Sequence, residues 1–247
     1  MYMKKFSFYQ SVCCCLLILL SFSLPAYSQA EKDFETRLNT GVSVDLGKQA
    51  SLSAGYRLTL FDNSTRFKSS FFSFGGNYDL LKWLRVAAEY RYYTTRDMDY
   101  HRFLVSARAG YKVNKKIDVY YRLRYQQEQD YFDREYLQFE NAPQRVFRNQ
   151  LLAKYQYTKK VDFYLYTESF TDWSKSELNT YRLRYGAGVN YLYKKRHAFT
   201  FEVFANDEFG ISDPTDRFTL DLGYVFKIRQ KKDKKEKVPK DPAAATP

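Results

Sequence analysis

Long hydrophobic runs are scarce in this sequence. The one continuous apolar stretch, at residues 12–20, is shorter than the roughly 20 residues that a membrane-spanning helix needs. A mean hydropathy of -0.59 excludes a bundle of membrane helices, and an aromatic content of 19% excludes a disordered chain. A soluble all-β domain and a membrane β-barrel remain, since a barrel sequence does not need to be hydrophobic overall.

Cysteine is absent from most of the chain. The three cysteines, at positions 13 to 15, lie inside the apolar stretch, which follows two lysines and precedes small and polar residues at 26–30. This arrangement is typical of a cleaved export signal, which we predict at residues 1–30. The mature chain then contains no thiol, which excludes disulfides, cysteine nucleophiles and thiolate metal sites.

Acidic residues are outnumbered, with 28 Asp and Glu against 40 Lys and Arg, and the basic excess is unevenly placed. Residues 229–247 contain seven Lys or Arg, three Asp or Glu and no aromatic residue. We therefore predict a disordered basic tail at 229–247. The remaining residues, 31–228, carry a mild positive charge and form one predicted domain.

Between these ends the chain alternates between apolar and polar residues, and the whole sequence has only 6 prolines and 10 glycines to interrupt the pattern. In residues 34–46, mainly apolar side chains occupy one face and polar side chains the other, which is typical of a β-strand. Short turns and longer polar loops follow such segments alternately, which predicts an up-and-down meander. Eleven segments show the pattern: 34–46, 51–61, 71–80, 84–94, 102–113, 117–127, 147–157, 161–171, 181–193, 199–206 and 218–228.

The alternation alone does not decide which face points inward, because soluble and membrane barrels share it. The apolar face is uncharged across the strands, and about 11 residues tilted by about 40° span about 27 Å, which matches an outer membrane. Aromatic residues also concentrate at the strand ends, as in the girdles that mark a membrane interface. The girdle candidates are Tyr78, Tyr111, Tyr157, Tyr191 and Tyr224 near the short turns, and Phe72, Tyr92, Tyr125, Tyr181 and Phe218 near the longer loops.

We therefore predict an all-β fold, namely an up-and-down antiparallel transmembrane β-barrel of about 10 to 12 strands in the bacterial outer membrane, with short periplasmic turns and longer extracellular loops. A soluble barrel or sandwich is the alternative. Single-chain bacterial barrels have even strand numbers, so eleven segments imply one irregularity. Either residues 34–46 close the barrel in an unusual way or lie in the lumen, or residues 129–143 contain irregular structure.

The last strand resembles the C-terminal assembly signal of Gram-negative barrels. Within residues 221–228, Gly223 is the glycine of this signal, Phe226 its aromatic residue and Ile228 its terminal hydrophobic residue. The resemblance implies that the barrel assembly machinery recognises this strand. Outer-membrane lipid and lipopolysaccharide are the other expected partners.

Several strands carry arginine between aromatic residues, as in the repeated Tyr-Arg-Leu-Arg-Tyr at 121–125 and 181–185 and the related stretches at 54–57 and 89–92. Together with the export signal and the hairpins, these strands resemble the outer-membrane family catalogued as domain of unknown function 2490. This resemblance implies a location and a fold, and it implies no known activity or catalytic residue.

The polar face is the predicted lumen, and it carries both charge signs. A narrow barrel that excludes water must pair the charges it holds, so we predict a largely closed, charge-paired lumen in a structural or interaction-type protein. The alternative is a small, porin-like, anion-selective channel for acidic solutes, because arginines outnumber acids in the loop-side half and inward glycines leave room. The predicted lumen-lining residues are Arg57, Glu89, Arg91, Arg108, Arg122, Arg124, Arg148, Glu168, Arg182, Arg184 and Glu202, with the glutamates as partners for arginine.

Catalytic groups are scarce. The two histidines, His101 and His197, are predicted at opposite rims of the barrel, so they cannot share a metal ion, and Ser106 has no activating neighbour. No phosphate-binding loop or calcium repeat stands out. We predict no enzyme activity, no cofactor and no metal site. Nucleic acid is not an expected partner, because most strand tyrosines alternate with arginines onto the opposite face.

Overall fold

The computed structural model describes residues 31–130, 132–133, 138–139, 144–174, 178–209 and 215–229. The predicted export signal at 1–30 and residues 230–247 of the predicted tail lie outside these residues. No helix in the described part of the chain is long and apolar enough to cross a membrane. All regular secondary structure among the described residues is β-strand, which confirms the predicted all-β class.

Eleven of the thirteen strands found among the described residues form one closed barrel. They coincide with the eleven alternating segments, with ends that differ by a few residues, and β7 and β8 form a separate two-stranded sheet. The strands are β1 (Glu31–Leu46), β2 (Ala50–Phe61), β3 (Arg66–Leu81), β4 (Leu84–Thr95), β5 (Asp99–Lys112), β6 (Ile117–Asp130), β7 (Phe132–Asp133), β8 (Gln138–Phe139), β9 (Gln144–Gln156), β10 (Val161–Asp172), β11 (Asn179–Tyr193), β12 (His197–Glu208) and β13 (Thr215–Ile228).

The barrel closes between its first and last strands. Ten antiparallel pairings link the barrel strands in chain order from β1 to β13, and each pairing reverses the strand direction. Neighbouring β1 and β13 therefore run in the same direction, and the Asn39 side chain donates a hydrogen bond across this seam to the main-chain carbonyl of Leu222 at 3.2 Å. The up-and-down barrel is confirmed, and the irregularity implied by an odd count is an unusual closure by β1.

The connections confirm the hairpin repeat. Turns at 47–49, 82–83, 113–116, 157–160 and 194–196 lie at one end of the barrel, which we call the turn end. At the opposite end, the loop end, two connections are about as short, because β3, β4 and β5 extend beyond the predicted segments. One of them, at 62–65, is a compact turn in which three residues have φ of 54°, 53° and 65° and Thr65 N–H bonds the Phe61 carbonyl at 3.1 Å.

The two faces of the barrel wall have opposite chemistry. Large apolar side chains such as Leu123 and Phe163 are exposed on the outside, whereas charged side chains such as Glu35 and Glu168 are buried inside. A soluble barrel keeps its apolar face inside, so this arrangement is inverted relative to a soluble barrel. A smaller set of apolar side chains also fills the interior: Phe71, Tyr93, Leu104, Val146, Tyr164, Tyr166, Phe170 and Phe204.

Candidate functional site in the barrel lumen

The predicted lumen-lining residues lie on the same strand faces as the buried residues of the interior. The structure does not bring them into one continuous ladder. It divides them into a central cluster around Glu168, a set of separate pairs, a glutamate bound by tyrosines, and two arginines without an ion pair. Each arrangement has different consequences for what the lumen can do.

The central cluster joins one carboxylate to three arginines. Glu168, which is 1% exposed, accepts hydrogen bonds from Arg148 Nε at 3.2 Å and Nη2 at 2.8 Å. Arg122 Nη2 donates to the same carboxylate at 3.2 Å, and Arg184 Nη1 lies 3.7 Å away. Strands β6, β9, β10 and β11 supply these residues, so the cluster ties four neighbouring strands together across the interior. Three positive charges share one negative charge here.

Aromatic rings extend the central cluster. The Phe170 ring centre lies 4.5 Å from the guanidinium carbon of Arg148 and 4.9 Å from that of Arg184, and the Phe204 ring lies 4.3 Å from Arg184. Cations over aromatic faces attract the ring electrons, and the attraction strengthens where water is excluded. The rings therefore pack against the arginines inside the barrel and stabilise their positive charge.

The separate pairs lie on other parts of the wall. Glu89 accepts both Arg91 Nε at 2.8 Å and Arg91 Nη2 at 3.0 Å, so both of its oxygens are engaged. Arg182 lies 2.5 Å from Glu208. Arg57 pairs with Asp221 at 3.4 Å, beside the seam between β1 and β13.

A second buried carboxylate, outside the predicted lumen-lining set, lies near the loop end. Glu35 is fully buried, and it contacts Lys68, Arg37 at 3.2 Å and Arg217 at 3.6 Å. These residues come from β1, β3 and β13, so this contact also spans the seam. Its position on the polar face of the first segment was the only sequence signal for it.

Glu202 differs from the prediction that it pairs with arginine. Tyr164 O–H donates to one of its oxygens at 2.5 Å, and Tyr166 O–H donates to the other at 2.7 Å. The two rings lie over Gly188 and Gly186, where an added Cβ would come within 2.4 Å and 2.3 Å of ring carbons. The inward glycines of β11 therefore leave no open space, because tyrosines of β10 fill it.

The predicted lumen-lining set did not include the inward aromatic residues, although the sequence contains one signal for them. Residues 163–166 read Phe-Tyr-Leu-Tyr, so alternate positions are apolar on both faces. A strand that is apolar on both faces is typically covered on both faces. This signal predicts a filled interior on one side of the barrel.

A cavity of about 150 Å³ remains inside the barrel. Since a water molecule takes about 30 Å³ in the liquid, the cavity has room for a few waters or one small ion. Arg108 and Arg124 line it, and neither forms an ion pair with any described residue. Its complete lining is Ser53, Gly75, Gly76, Asn77, Arg85, Ala87, Ala88, Glu89, Leu104, Ser106, Arg108, Arg122 and Arg124.

The remaining candidates lie apart from this cavity or lack catalytic partners. His101 Nδ1 is 2.7 Å from the Tyr90 hydroxyl near the loop end, and His197 Nδ1 is 3.0 Å from the Tyr224 hydroxyl near the turn end. Ser106 lines the cavity, with no histidine in that lining. Within the described ranges, no three His, Asp or Glu side chains are grouped so that they could hold a metal ion.

The three residues of the predicted assembly signal lie in β13. Gly223 is paired with Thr200 and Phe226 with His197 on β12, and the Phe226 ring centre lies 5.3 Å from that of His197. Ile228 is exposed at the last position of the strand. Recognition of this strand by the assembly machinery stays a prediction.

Two porins are among the solved structures that align with this chain. A KdgM porin aligns with a TM-score of 0.44 and 12% identity, over 70% of this chain and 91% of the porin. A NanC porin aligns with a TM-score of 0.44 and 12% identity, over 78% of this chain and 99% of the porin. No family model and no curated protein matches the sequence, so the resemblance to domain of unknown function 2490 stays a prediction.

Proposed function

We propose that this chain is an outer-membrane β-barrel with a closed, charge-paired lumen and a structural or interaction-type role. The central cluster is the observation from which we infer a closed lumen. Glu168 is 1% exposed, and three arginines surround it. Phe170 and Phe204, each 4% exposed, pack against the same arginines. Side chains that lined an open aqueous pore would be accessible to water, whereas Glu168, Phe170 and Phe204 are almost fully buried.

The exterior supports a membrane location. Apolar side chains cover the outer face at high exposure, among them Phe72 at 65% and Leu165 at 62%. Monomeric proteins in water rarely expose a contiguous apolar surface of this kind, whereas lipid covers it at no cost. Outer-membrane lipid, lipopolysaccharide and the barrel assembly machinery are therefore the proposed partners, and export by the signal at 1–30 belongs to the same proposal.

A planar-bilayer recording of the purified, folded barrel tests the closed lumen. We expect no steady conductance from the wild-type protein. The control is the double variant Phe170→Ser, Phe204→Ser, which removes two of the rings that fill the interior. This variant should conduct, which would show that the barrel has inserted in the bilayer. Reproducible conductance steps from the wild-type barrel would contradict the proposal.

A small anion-selective channel for acidic solutes is the second candidate. The observation in its favour is the cavity, where Arg108 and Arg124 have no ion-pair partner among the described residues. Arginines in a wet pore attract anions. Under this candidate, wild-type steps would be anion-selective, and neutralising Arg124 and Arg184 together would shift the selectivity toward cations. High salt would weaken the effect, since exposed charges are screened over about 10 Å at 0.1 M.

A further inference from the structure

The strand register places arginines side by side at the cavity. Arg85 on β4 is paired with Arg108 on β5, and Arg108 is paired with Arg122 on β6. One level nearer the loop end, Arg124 on β6 is paired with Arg148 on β9. Like charges directly opposite one another in a sheet repel each other. A compensating negative charge is therefore required at this position.

The protein supplies less negative charge than the arginines need. Glu89 is the one acid in the cavity lining, and both of its oxygens are bound by Arg91. Asp79 binds Arg85 through two hydrogen bonds, at 2.5 and 2.8 Å. The third nearby acid, Glu168, is shared among three arginines.

Two arginines are consequently left without a carboxylate among the described residues. The Arg108 guanidinium lies 5.0 Å from the Tyr120 ring centre. The Nε atoms of Arg124 and Arg122 are buried and have no hydrogen-bond partner. A guanidinium stays protonated in proteins. Arg108 and Arg124 are partly buried, and a partly desolvated charge without a partner is unfavourable. These donors therefore need an acceptor that the protein itself does not provide.

Short side chains make room for that acceptor. In the same register row as Arg124, the neighbouring inward positions on β5, β4 and β3 are Ser106, Ala87 and Asn77. These residues line the cavity together with the arginines, and two of them carry polar groups that can donate hydrogen bonds. A volume of about 150 Å³ is sufficient for one small tetrahedral oxyanion.

We propose that this cavity is a binding site for a small inorganic oxyanion of the phosphate or sulfate class, held by Arg108, Arg122 and Arg124 with Ser106 as a neutral donor. Guanidinium groups match such anions because their planar, forked donors bind two oxygens at once. A cavity of about 150 Å³ inside the barrel has no space for the acyl chains of a lipid, so a free ion is the proposed ligand rather than a phosphorylated headgroup.

The cavity adjoins a depression at the turn end. The depression has a volume of about 610 Å³ and shares Arg85 and Arg108 with the cavity lining. Lys48, Lys82 and Lys112 also line this depression, together with Asp79 and Asp118, so basic residues outnumber acidic ones there. A basic entrance raises the local concentration of anions, so an oxyanion can reach the arginines from this side without passing the central cluster. The proposal therefore does not rest on whether the lumen conducts.

Equilibrium dialysis of the folded, full-length barrel against radiolabelled phosphate, in neutral detergent at constant ionic strength, tests the site. We expect one saturable site per chain, which sulfate displaces and chloride does not. Arg124→Gln and Arg108→Gln should each weaken phosphate binding by at least tenfold. Arg66→Gln is the matched control, because it removes the same charge from an exposed arginine that pairs with Asp62 at the loop end, and it should bind as the wild type does.

Thermal unfolding supplies the second measurement. Replacing chloride with phosphate should raise the unfolding midpoint of the wild type and leave that of Arg124→Gln unchanged. In chloride, Arg124→Gln should be at least as stable as the wild type, because it removes a charge that lacks a partner. An Arg124→Gln variant that fails to fold would overturn the proposal, since Arg124 would then have a protein partner. The proposal would also be overturned if the wild type showed no saturable phosphate binding, or if Arg124→Gln bound phosphate as tightly as the wild type. An adventitious ion only, bound equally by the wild type and both variants, would overturn it as well.

Discussion

Glu168→Gln is the substitution that most directly tests the central cluster. It keeps the shape of the side chain and removes the one negative charge that three arginines share, at 2.8 to 3.7 Å. At an effective dielectric constant of about 20, opposite unit charges at such distances attract each other by about 4.5–6 kcal/mol. The free-energy cost of removing the carboxylate from water offsets much of the summed attraction to the three arginines. We expect a net loss of about 3–5 kcal/mol in the free energy of unfolding, as found when one member of a buried ion pair is removed.

Asp79→Asn is the matched control for this measurement. Asp79 also binds an arginine through two hydrogen bonds, but its side chain is 34% exposed and Arg85 is its one ion-pair partner among the described residues. An exposed pair contributes about 1 kcal/mol or less. Equilibrium unfolding in urea, followed by the fluorescence of Trp83 and Trp173 near the two ends of the barrel, compares the variants in the same lipid vesicles. Equal losses for the two substitutions would refute the view that the cluster is a desolvated centre of the lumen.

Two further substitutions test the packing and the membrane face. Gly186→Ala should lower the free energy of unfolding by about 1–3 kcal/mol, because its Cβ would come within 2.3 Å of the Tyr166 ring. In the same urea titration, Gly76→Ala should cost less, because its Cβ meets a flexible leucine at 3.3 Å. A larger loss for Gly76→Ala than for Gly186→Ala would contradict this packing. Leu123→Arg, at mid-strand and 42% exposed, should cost about 2–4 kcal/mol in lipid, whereas Tyr111→Arg near the turn end should cost about 1 kcal/mol or less. Equal costs at these two depths would argue against burial of the outer face in lipid.

The strands and their two faces were predictable because they depend on local pattern. Each alternating segment is long enough to establish a period of two, and a shift by one residue would exchange every inward and outward side chain. The pattern fades in the polar residues at the start of β3, at Lys68, Ser69 and Ser70. Pairing with neighbouring strands continues there all the same. The predicted loop near Asn63 is therefore longer than the observed turn.

The contacts inside the lumen were less predictable, because they depend on the stagger between strands and on the filling of a shared interior. Alternation places Glu202 and the arginines on one face, and it does not say which side chains meet. The tyrosines of β10 reach Glu202 first because Gly186 and Gly188 of the intervening strand let their rings pass. Likewise, the lack of a partner for Arg124 follows from the register of β5, β6 and β9, which the sequence does not specify.

The odd number of barrel strands has a consequence for the sidedness of the chain. Because β1 and β13 run in the same direction, the chain enters the barrel wall at the loop end and leaves it at the turn end. In the proposed membrane, the start of β1 at Glu31 and the end of β13 at Ile228 therefore face opposite compartments. If the turn end lies in the periplasm, as the sequence predicts, the beginning of β1 must be carried to the cell surface before the seam can close.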